Sequence, residues 1–288
     1  MLIAVFADIH ANRQAFEACL ARAKSDGAEK IYLLGDIVGY GADPDWCTQT
    51  AMELVGHGAL AVRGNHDNAI AVPSERMNAK AQVAIEWTRN VLGRAERQFL
   101  AELPLSVEDG GRLLVHADAT APAQWHYVTD GQSATRSLEV TRLPLTLCGH
   151  VHIPALYSLS SIGKITPFTP KTGVPIQLIK GRQWLAVVGS VGQPRDGNPA
   201  ASYAMLDTDR NEITFCRAPY DIDGAAARIR DNGLPPSLAE RLYEGHGWPG
   251  PNSFPAKYSM VSWSRNRCIA AAWRPYGVCR IRTIRSRC

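Results

Sequence analysis

The sequence predicts an α/β fold, a four-layer α-β-β-α sandwich in which helices flank two mixed sheets. Three features of the chain predict it. The first 65 residues alternate short apolar strands with amphipathic helices, an order typical of a parallel sheet covered by helices. Residues from 154 onward carry strand-like segments divided by Gly and Pro, which favour a mostly antiparallel second sheet. Two helices are predicted to follow, near residues 224–231 and 237–243.

The N-terminal elements follow from apolar periodicity. Residues 2–7 form a continuous apolar run, as expected of a strand buried on both faces. Residues 12–25 place their apolar side chains at helical spacing on one face. The next strand is predicted at 31–34. A helix that begins with Pro44 is predicted over 44–55, and a third strand at 59–62.

The middle of the chain continues with a helix over 78–100 and short strands at 113–115 and 145–148. A long loop, 117–132, and a short helix near 133–140 separate those two strands. The strands predicted after residue 154 lie at 155–159, 176–179, 184–188, 202–206 and 213–216.

Composition indicates an ordinary globular protein. The chain has 288 residues, of which 45% are hydrophobic and 20% charged. No apolar run approaches the roughly 18–20 residues that a membrane span needs, so no membrane association is predicted. The seven cysteines are scattered without a C-x-x-C pair. This pattern favours reduced thiols and a cytoplasmic location, while the oligomeric state stays open.

Charge divides the chain into two predicted parts. Residues 245–288 hold eight basic residues and no acid, whereas residues 1–244 hold 23 basic and 27 acidic residues. We expect one domain over 1–246 and a basic, poorly ordered extension over 247–288. Arginines interleaved with aromatic residues also suit a nucleic-acid-binding segment, but the acidic body disfavours a polyanionic partner.

Short polar motifs follow the predicted strands in a fixed order. They are Asp8-Ile9-His10, Gly35-Asp36, Gly64-Asn65-His66-Asp67, His116 and Gly149-His150-Val151-His152. Taken singly, Asp36 suits a turn and His116 suits a buried core histidine. Together they supply oxygen and imidazole donors at the carboxyl ends of strands, where open α/β sheets bind ligands. Such donors suit two divalent cations, Mn, Fe, Ni, Co or Zn.

Two divalent cations would give this site hydrolytic chemistry. A pair about 3.5–4 Å apart clamps the attacking and leaving oxygens of a phosphoryl displacement and makes hydroxide available near neutral pH. One carboxylate must bridge the ions. Neutral imidazoles limit the negative charge that would repel an anionic substrate.

The motif set resembles the calcineurin-like metallophosphoesterase superfamily over roughly residues 1–245. The resemblance implies a metal-dependent hydrolase of phosphate esters, a phosphodiesterase or phosphatase with a metal-bound hydroxide nucleophile. Its implied metal ligands, with Asp36 bridging, are Asp8, His10 and His152 for the first ion, and Asn65, His116 and His150 for the second. The implied catalytic pair is His66, which protonates the leaving oxygen, and Asp67, which hydrogen-bonds its imidazole and fixes the tautomer.

A narrower bacterial and archaeal branch is also similar, through residues 35–41, 189–196 and 220–245. Where protein serine/threonine phosphatases carry Asp-Arg-Gly, this chain has Gly39-Tyr40-Gly41 and so lacks a phosphate-binding arginine. This difference argues against a phosphoprotein substrate. The expected substrate is a small phosphate ester, which includes nucleotides. Arg195 and Tyr40 are candidate substrate-binding residues. After its metal-binding histidine the branch tends to carry Gly-Ser/Thr, where this chain has Ala117-Asp118, and the Asp118 carboxylate would either reach the second metal or repel a dianionic monoester.

Aromatic residues and rival functions complete the expectations. Trp125, His126 and Tyr127 in the long loop would either stack on a substrate ring or pack on the surface. Two rival functions stay open: a non-catalytic scaffold of the same fold, and a nuclease aided by the basic extension.

Overall fold

The computed structural model describes residues 1–72 and 77–246, and the predicted extension over 247–288 lies outside them. The strands are β1 Leu2–Phe6, β2 Lys30–Leu33, β3 Leu60–Ala61, β4 Ser106–Asp109, β5 Arg112–Val115, β6 Leu145–Cys148, β7 Ala155–Leu159, β8 Ile165–Phe168, β9 Pro175–Gln177, β10 Gln183–Val187, β11 Ala201–Asp207 and β12 Glu212–Ala218. The helices are α1 Arg13–Ser25, α2 Pro44–Gly56, α3 Asn65–Ala71, α4 Ala79–Val91, α5 Arg94–Glu102, α6 Gly131–Glu139, α7 Ile222–Asp231 and α8 Pro236–Glu244.

Two six-stranded mixed sheets form the centre. Their strand orders are β3-β2-β1-β11-β12-β9 and β4-β5-β6-β10-β7-β8. In each sheet the motif-bearing strands run parallel, β1 with β2 and β3, and β5 with β6. The predicted α/β fold of two mixed sheets flanked by helices is therefore confirmed.

Side-chain alternation along β1 shows how the layers stack. Ile3 and Val5 pack in a buried cluster with Leu147 and Trp184 of the second sheet, so this cluster lies between the sheets. Ala4 and Phe6 point the other way, into a cluster with side chains of α1 and α2. On the outer face of the second sheet, α6 buries Ala134 and Leu138. Alternate side chains of one strand thus serve two different layers.

The strands after residue 154 depart from the prediction. They pair largely antiparallel, as expected, but they do not form a sheet of their own. Strands β9, β11 and β12 extend the sheet of β1, whereas β7, β8 and β10 extend the other sheet. Strand β10 is inserted parallel to β6. Local sequence pattern cannot specify such long-range pairing.

The single helix predicted over 78–100 is wrong. Helix α4 ends at Val91 and α5 begins at Arg94, because Leu92 and Gly93 are extended (ψ 133° and 175°). Glycine disfavours the helix interior and serves well as an N-cap. Helix α3 and strands β4 and β8 were not predicted. None of the described helices is long and apolar enough to span a membrane.

Candidate metal centre

The motif residues converge because five strands end at the same edge of the two sheets. Asp8, Asp36 and Asn65 follow β1, β2 and β3 of one sheet, and His116 and His150 follow β5 and β6 of the other. The loops are tied together, since Asp8 N–H donates to Gly35 O at 3.1 Å and Gly149 N–H to His116 O at 2.9 Å.

Left-handed backbone is concentrated in these loops. Among the described residues other than glycine, seven site positions have φ between 50° and 66°: Asp8, His10, Ala11, Asp36, Tyr40, His150 and His152. Such a conformation costs about 1–3 kcal/mol for a residue with a side chain, and it persists where the surroundings enforce it. Here the enforcing contacts include His10 N–H to Asp36 O at 2.9 Å.

The first cluster joins Asp8, His10 and His152. The Nε2 atoms of the two imidazoles lie 3.1 Å apart, and Asp8 Oδ1 lies 3.4 Å from His152 Nε2. His10 Nδ1–H donates to Val38 O at 3.2 Å and His152 Nδ1–H to Gln193 O at 2.7 Å. These bonds fix the tautomer, so both Nε2 atoms turn a lone pair toward each other.

The second cluster joins Asp36, His116 and His150, with Asn65 beside it. His116 Nε2 lies 3.1 Å from His150 Nδ1, 3.2 Å from Asn65 Oδ1 and 3.4 Å from Asp36 Oδ2. His116 Nδ1–H donates to Leu34 O at 2.8 Å, which again leaves Nε2 facing the cluster.

Asp36 links the two clusters through one atom. Its Oδ2 lies 3.4 Å from His116 Nε2 and 3.7 Å from His10 Nε2. Its Oδ1 is occupied by the N–H of His66 at 2.8 Å. A single carboxylate oxygen therefore faces imidazoles of both clusters.

The electrostatics of the clusters suit cations. Within the part of the chain that the structure describes, buried Asp8 Oδ1 has no hydrogen-bond partner, and buried acceptors without partners are costly. Burial lowers the pKa of His10 and His150 well below the usual range, so these imidazoles are neutral and can act as ligands. Burial acts most strongly, lowering the pKa of His116, but the Asp36 and Asp8 carboxylates and the Leu34 carbonyl together raise this pKa to about 9, so the imidazole must release a proton before Nε2 can bind a cation. Convergent lone pairs and carboxylates thus fit divalent metal ions.

The predicted hydrogen bond from Asp67 to the His66 imidazole is wrong. Asp67 Oδ1 accepts from the N–H groups of Ile37 (2.9 Å) and Val38 (3.2 Å), and Oδ2 accepts from that of Gly64 (3.0 Å). His66 Nδ1 is buried and has no hydrogen-bond partner among the described residues. Asp67 therefore fastens the loop after β2 to the start of α3, because three backbone donors outcompete one imidazole.

The His66 ring lies between two other rings of the site, at centroid distances of 4.8 Å from His10 and 4.5 Å from Tyr40. Burial lowers the pKa of His66 to about 4, while the Asp36 carboxylate acts in the opposite direction. The imidazole is thus next to the clusters and neutral at pH 7. Its role as proton donor stays a prediction.

Arg195 and Tyr40 lie together beside the clusters. The Arg195 guanidinium is 6.0 Å from the Tyr40 ring, and Tyr40 is 4.7 Å from the His10 ring. Asp118 Oδ1 accepts from the N–H groups of Thr120 and Ala121 and from the Thr120 hydroxyl, and its effect on a metal or a substrate stays a prediction. Asp118 closes a turn of the 117–132 loop.

The aromatic residues of that loop pack on metal-ligand candidates. Tyr127 stacks on His150 with ring centroids 4.2 Å apart, although half of its surface is exposed. Trp125 meets His116 edge-on at 5.9 Å. The carbonyls of Leu34, Val38 and Gln193, which orient the histidines, had no signal in the sequence, since any residue carries a carbonyl.

Comparisons with known proteins agree with this geometry. A family model described as the calcineurin-like phosphoesterase superfamily domain matches residues 1–211. An uncharacterized protein of Methanocaldococcus jannaschii is 36% identical over 251 residues, 85% of this chain and 98% of that protein. The crystal structure of a metallophosphoesterase from Sphaerobacter thermophilus aligns with a TM-score of 0.74 and 34% identity, covering 85% of this chain and 99% of that one. Phosphodiesterase YfcE of Escherichia coli K12 is 26% identical over 209 residues, 70% of this chain and 85% of that protein.

The chain belongs to the calcineurin-like phosphoesterase superfamily. Members of this family use divalent metals, and the described residues contain clusters able to hold them. Membership supports metal-dependent hydrolysis of phosphate esters as the general activity.

Proposed function

We propose that this protein hydrolyses small phosphate esters at a centre that holds two divalent cations. The observation that carries the proposal is the position of Asp36 Oδ2 between the two clusters, 3.7 Å from His10 and 3.4 Å from His116. One carboxylate oxygen shared by two donor sets is the arrangement that a pair of ions requires.

Seven side chains would hold the ions. Asp8, His10 and His152 would bind one, Asn65, His116 and His150 the other, and Asp36 both. Divalent cations in such a site polarise phosphate oxygens and lower the pKa of bound water toward 7. Oxygen and nitrogen donors of this kind accept Mn, Fe, Ni, Co or Zn.

Neighbouring residues would handle the substrate and its proton. Arg195 would bind phosphate oxygens through its guanidinium, since the Nε–H is buried without a partner. His66 would donate a proton to the leaving oxygen. A phosphate anion beside the ring favours the protonated form and opposes the burial that lowers the pKa of His66.

Phosphodiesters are the first substrates to consider. A relative that covers 70% of this chain is named a phosphodiesterase. Three aromatic side chains, Tyr40, Trp125 and Tyr127, pack on histidines of the centre, which suits an ester with an aromatic or nucleoside group.

The test is hydrolysis of bis(p-nitrophenyl) phosphate and p-nitrophenyl phosphate by metal-stripped protein resupplied with Mn, Ni, Co, Zn or Mg. We expect metal-dependent turnover that is lost in Asp36→Ala together with bound metal. His66→Ala should keep its metal and lose about 10²–10⁴-fold in rate.

A matched control is His57→Ala, because His57 is an exposed histidine outside the motifs. It should retain both metal and rate. Two ions bound per chain without turnover of either ester would refute the hydrolase and support a scaffold instead.

A further inference from the structure

Two arginines lie on neighbouring segments beside the candidate metal centre. Arg195, in the loop after β10, donates from Nη2 to Gln193 Oε1 at 3.1 Å, and its buried Nε–H has no partner. The second is Arg241 on α8. Neither forms an ion pair with a carboxylate within residues 1–72 and 77–246.

The end of α8 is fastened to the loop that carries Arg195. Gly197 N–H donates to Gly245 O at 2.9 Å, and Gly245 N–H donates to Arg241 O at 3.0 Å. On the same helix, Leu238 and Leu242 pack in one buried cluster with Tyr40, the residue over which Arg195 lies. Arg241 lies three residues after Leu238 and four before Gly245, so it projects from the face of α8 that these two residues turn toward Tyr40 and the Arg195 loop.

Charge at Arg241 is disfavoured in this position. Its side chain is half-buried, and burial followed by the positive charge of Arg195 lowers the pKa of the guanidinium. Two acids of neighbouring segments are paired with other arginines, Asp43 with Arg228 and Asp196 with Arg217. Two like charges in partly desolvated surroundings are stabilised by an anion that binds both.

We propose that Arg195 and Arg241 together bind a phosphate group other than the one being hydrolysed, so that the substrates carry two or more phosphate groups. The claim about substrates rests on the proposed function, whereas the claim that the two arginines bind an anion does not. Arg195 adjoins the first cluster, since its backbone N–H donates to His152 O at 3.2 Å, whereas Arg241 lies on α8, so a chain of phosphates would extend from the cluster toward α8.

The experiment is calorimetric titration of metal-stripped protein with tripolyphosphate and with inorganic phosphate. Omitting metal removes turnover and chelation, so the result does not depend on hydrolysis. We expect tripolyphosphate to bind more tightly than phosphate. Arg241→Gln should weaken tripolyphosphate binding about tenfold or more, the range for a hydrogen bond to a charged group.

A matched control is Arg230→Gln, which removes the same charge from an exposed position of the neighbouring helix α7, where the guanidinium lies 5.9 Å from Tyr243. It should change neither affinity. Arg241→Lys should restore part of the tripolyphosphate affinity, which a merely structural role would not predict.

Adenosine triphosphate, titrated in parallel, distinguishes the source of the phosphates. Tighter binding than tripolyphosphate supports a nucleotide, and equal binding supports an inorganic polyphosphate at the same site. Equal affinity of the wild-type protein for phosphate and tripolyphosphate would overturn the inference, as would equal effects of Arg241→Gln and Arg230→Gln. The protein could also prefer tripolyphosphate over phosphate through Arg241 and yet show no metal-dependent hydrolysis. That result would refute the proposed function and support the anion site.

Discussion

Replacing Gly64 with alanine should displace the Asp36 carboxylate, which the two clusters share, although the substitution removes none of the candidate metal ligands. Gly64 stands between β3 and α3, and its backbone passes directly against Asp36. A Cβ placed there would lie 2.2 Å from Asp36 Oδ1 and 2.3 Å from Asp36 N. The backbone of Gly64, with φ −96° and ψ 174°, is open to any residue, so the constraint is space alone.

The magnitude follows from the overlap. Contacts this short require a shift of about 1 Å, and overpacking of a dense interior costs about 1–3 kcal/mol. At about 2 kcal/mol, a domain of this size loses about 4–8 °C in Tm. A misplacement of about 1 Å at a catalytic centre costs on the order of 10² in rate.

Three measurements on Gly64→Ala test this reasoning: metal content by mass spectrometry, thermal unfolding, and turnover of bis(p-nitrophenyl) phosphate. Gly56→Ala is the control, because a Cβ at Gly56, the last residue of α2, meets nothing within 4 Å. It should leave all three unchanged or raise Tm slightly. Wild-type metal content and turnover in Gly64→Ala would refute the account of how Asp36 is held.

Two other predictions concern His66 and the metals. Gly39→Ala should lower the rate of ester hydrolysis while metal content is kept, because a Cβ at this position (φ 91°) would lie 2.2 Å from His66 Nδ1. Kinetics and metal analysis check this prediction, and loss of metal would contradict it. Metal at a hundredfold excess over Kd should add about 2.7 kcal/mol of stability, because it binds the folded Asp8 and histidine clusters and not the unfolded chain. Calorimetric scans with and without Mn would show a rise in Tm of about 5–10 °C, and an unchanged Tm would count against a preformed site.

The sequence predicted the convergence of the donors better than it predicted the sheets. Asp8, Asp36 and His150 each follow a short buried strand, and the ends of parallel strands share one edge, so their meeting follows from local pattern. The pairing of β1 with β11, about 200 residues away, does not, because apolar alternation is the same whichever partner a strand finds.

Contacts made by backbone atoms, or between side chains on different elements, also could not be predicted from the sequence. Asp67 reads as a partner of its neighbour His66, yet it binds the N–H groups of Ile37, Val38 and Gly64. Arg241 reads as one more charge on an amphipathic helix. Only its tertiary neighbours, Arg195 and Tyr40, distinguish it from a solvated arginine.

The placement of β11 between β1 and β12 bears on how the protein is made. Strand β1 leaves the ribosome early, but its second neighbour, Ala201–Asp207, is synthesised only after some two-thirds of the chain. Until then the edge of β1 is unpaired, and unpaired strand edges invite aggregation during synthesis. The donors of Asp8 and His152 therefore come together late in translation, and metal is expected to enter a nearly complete fold rather than to nucleate one.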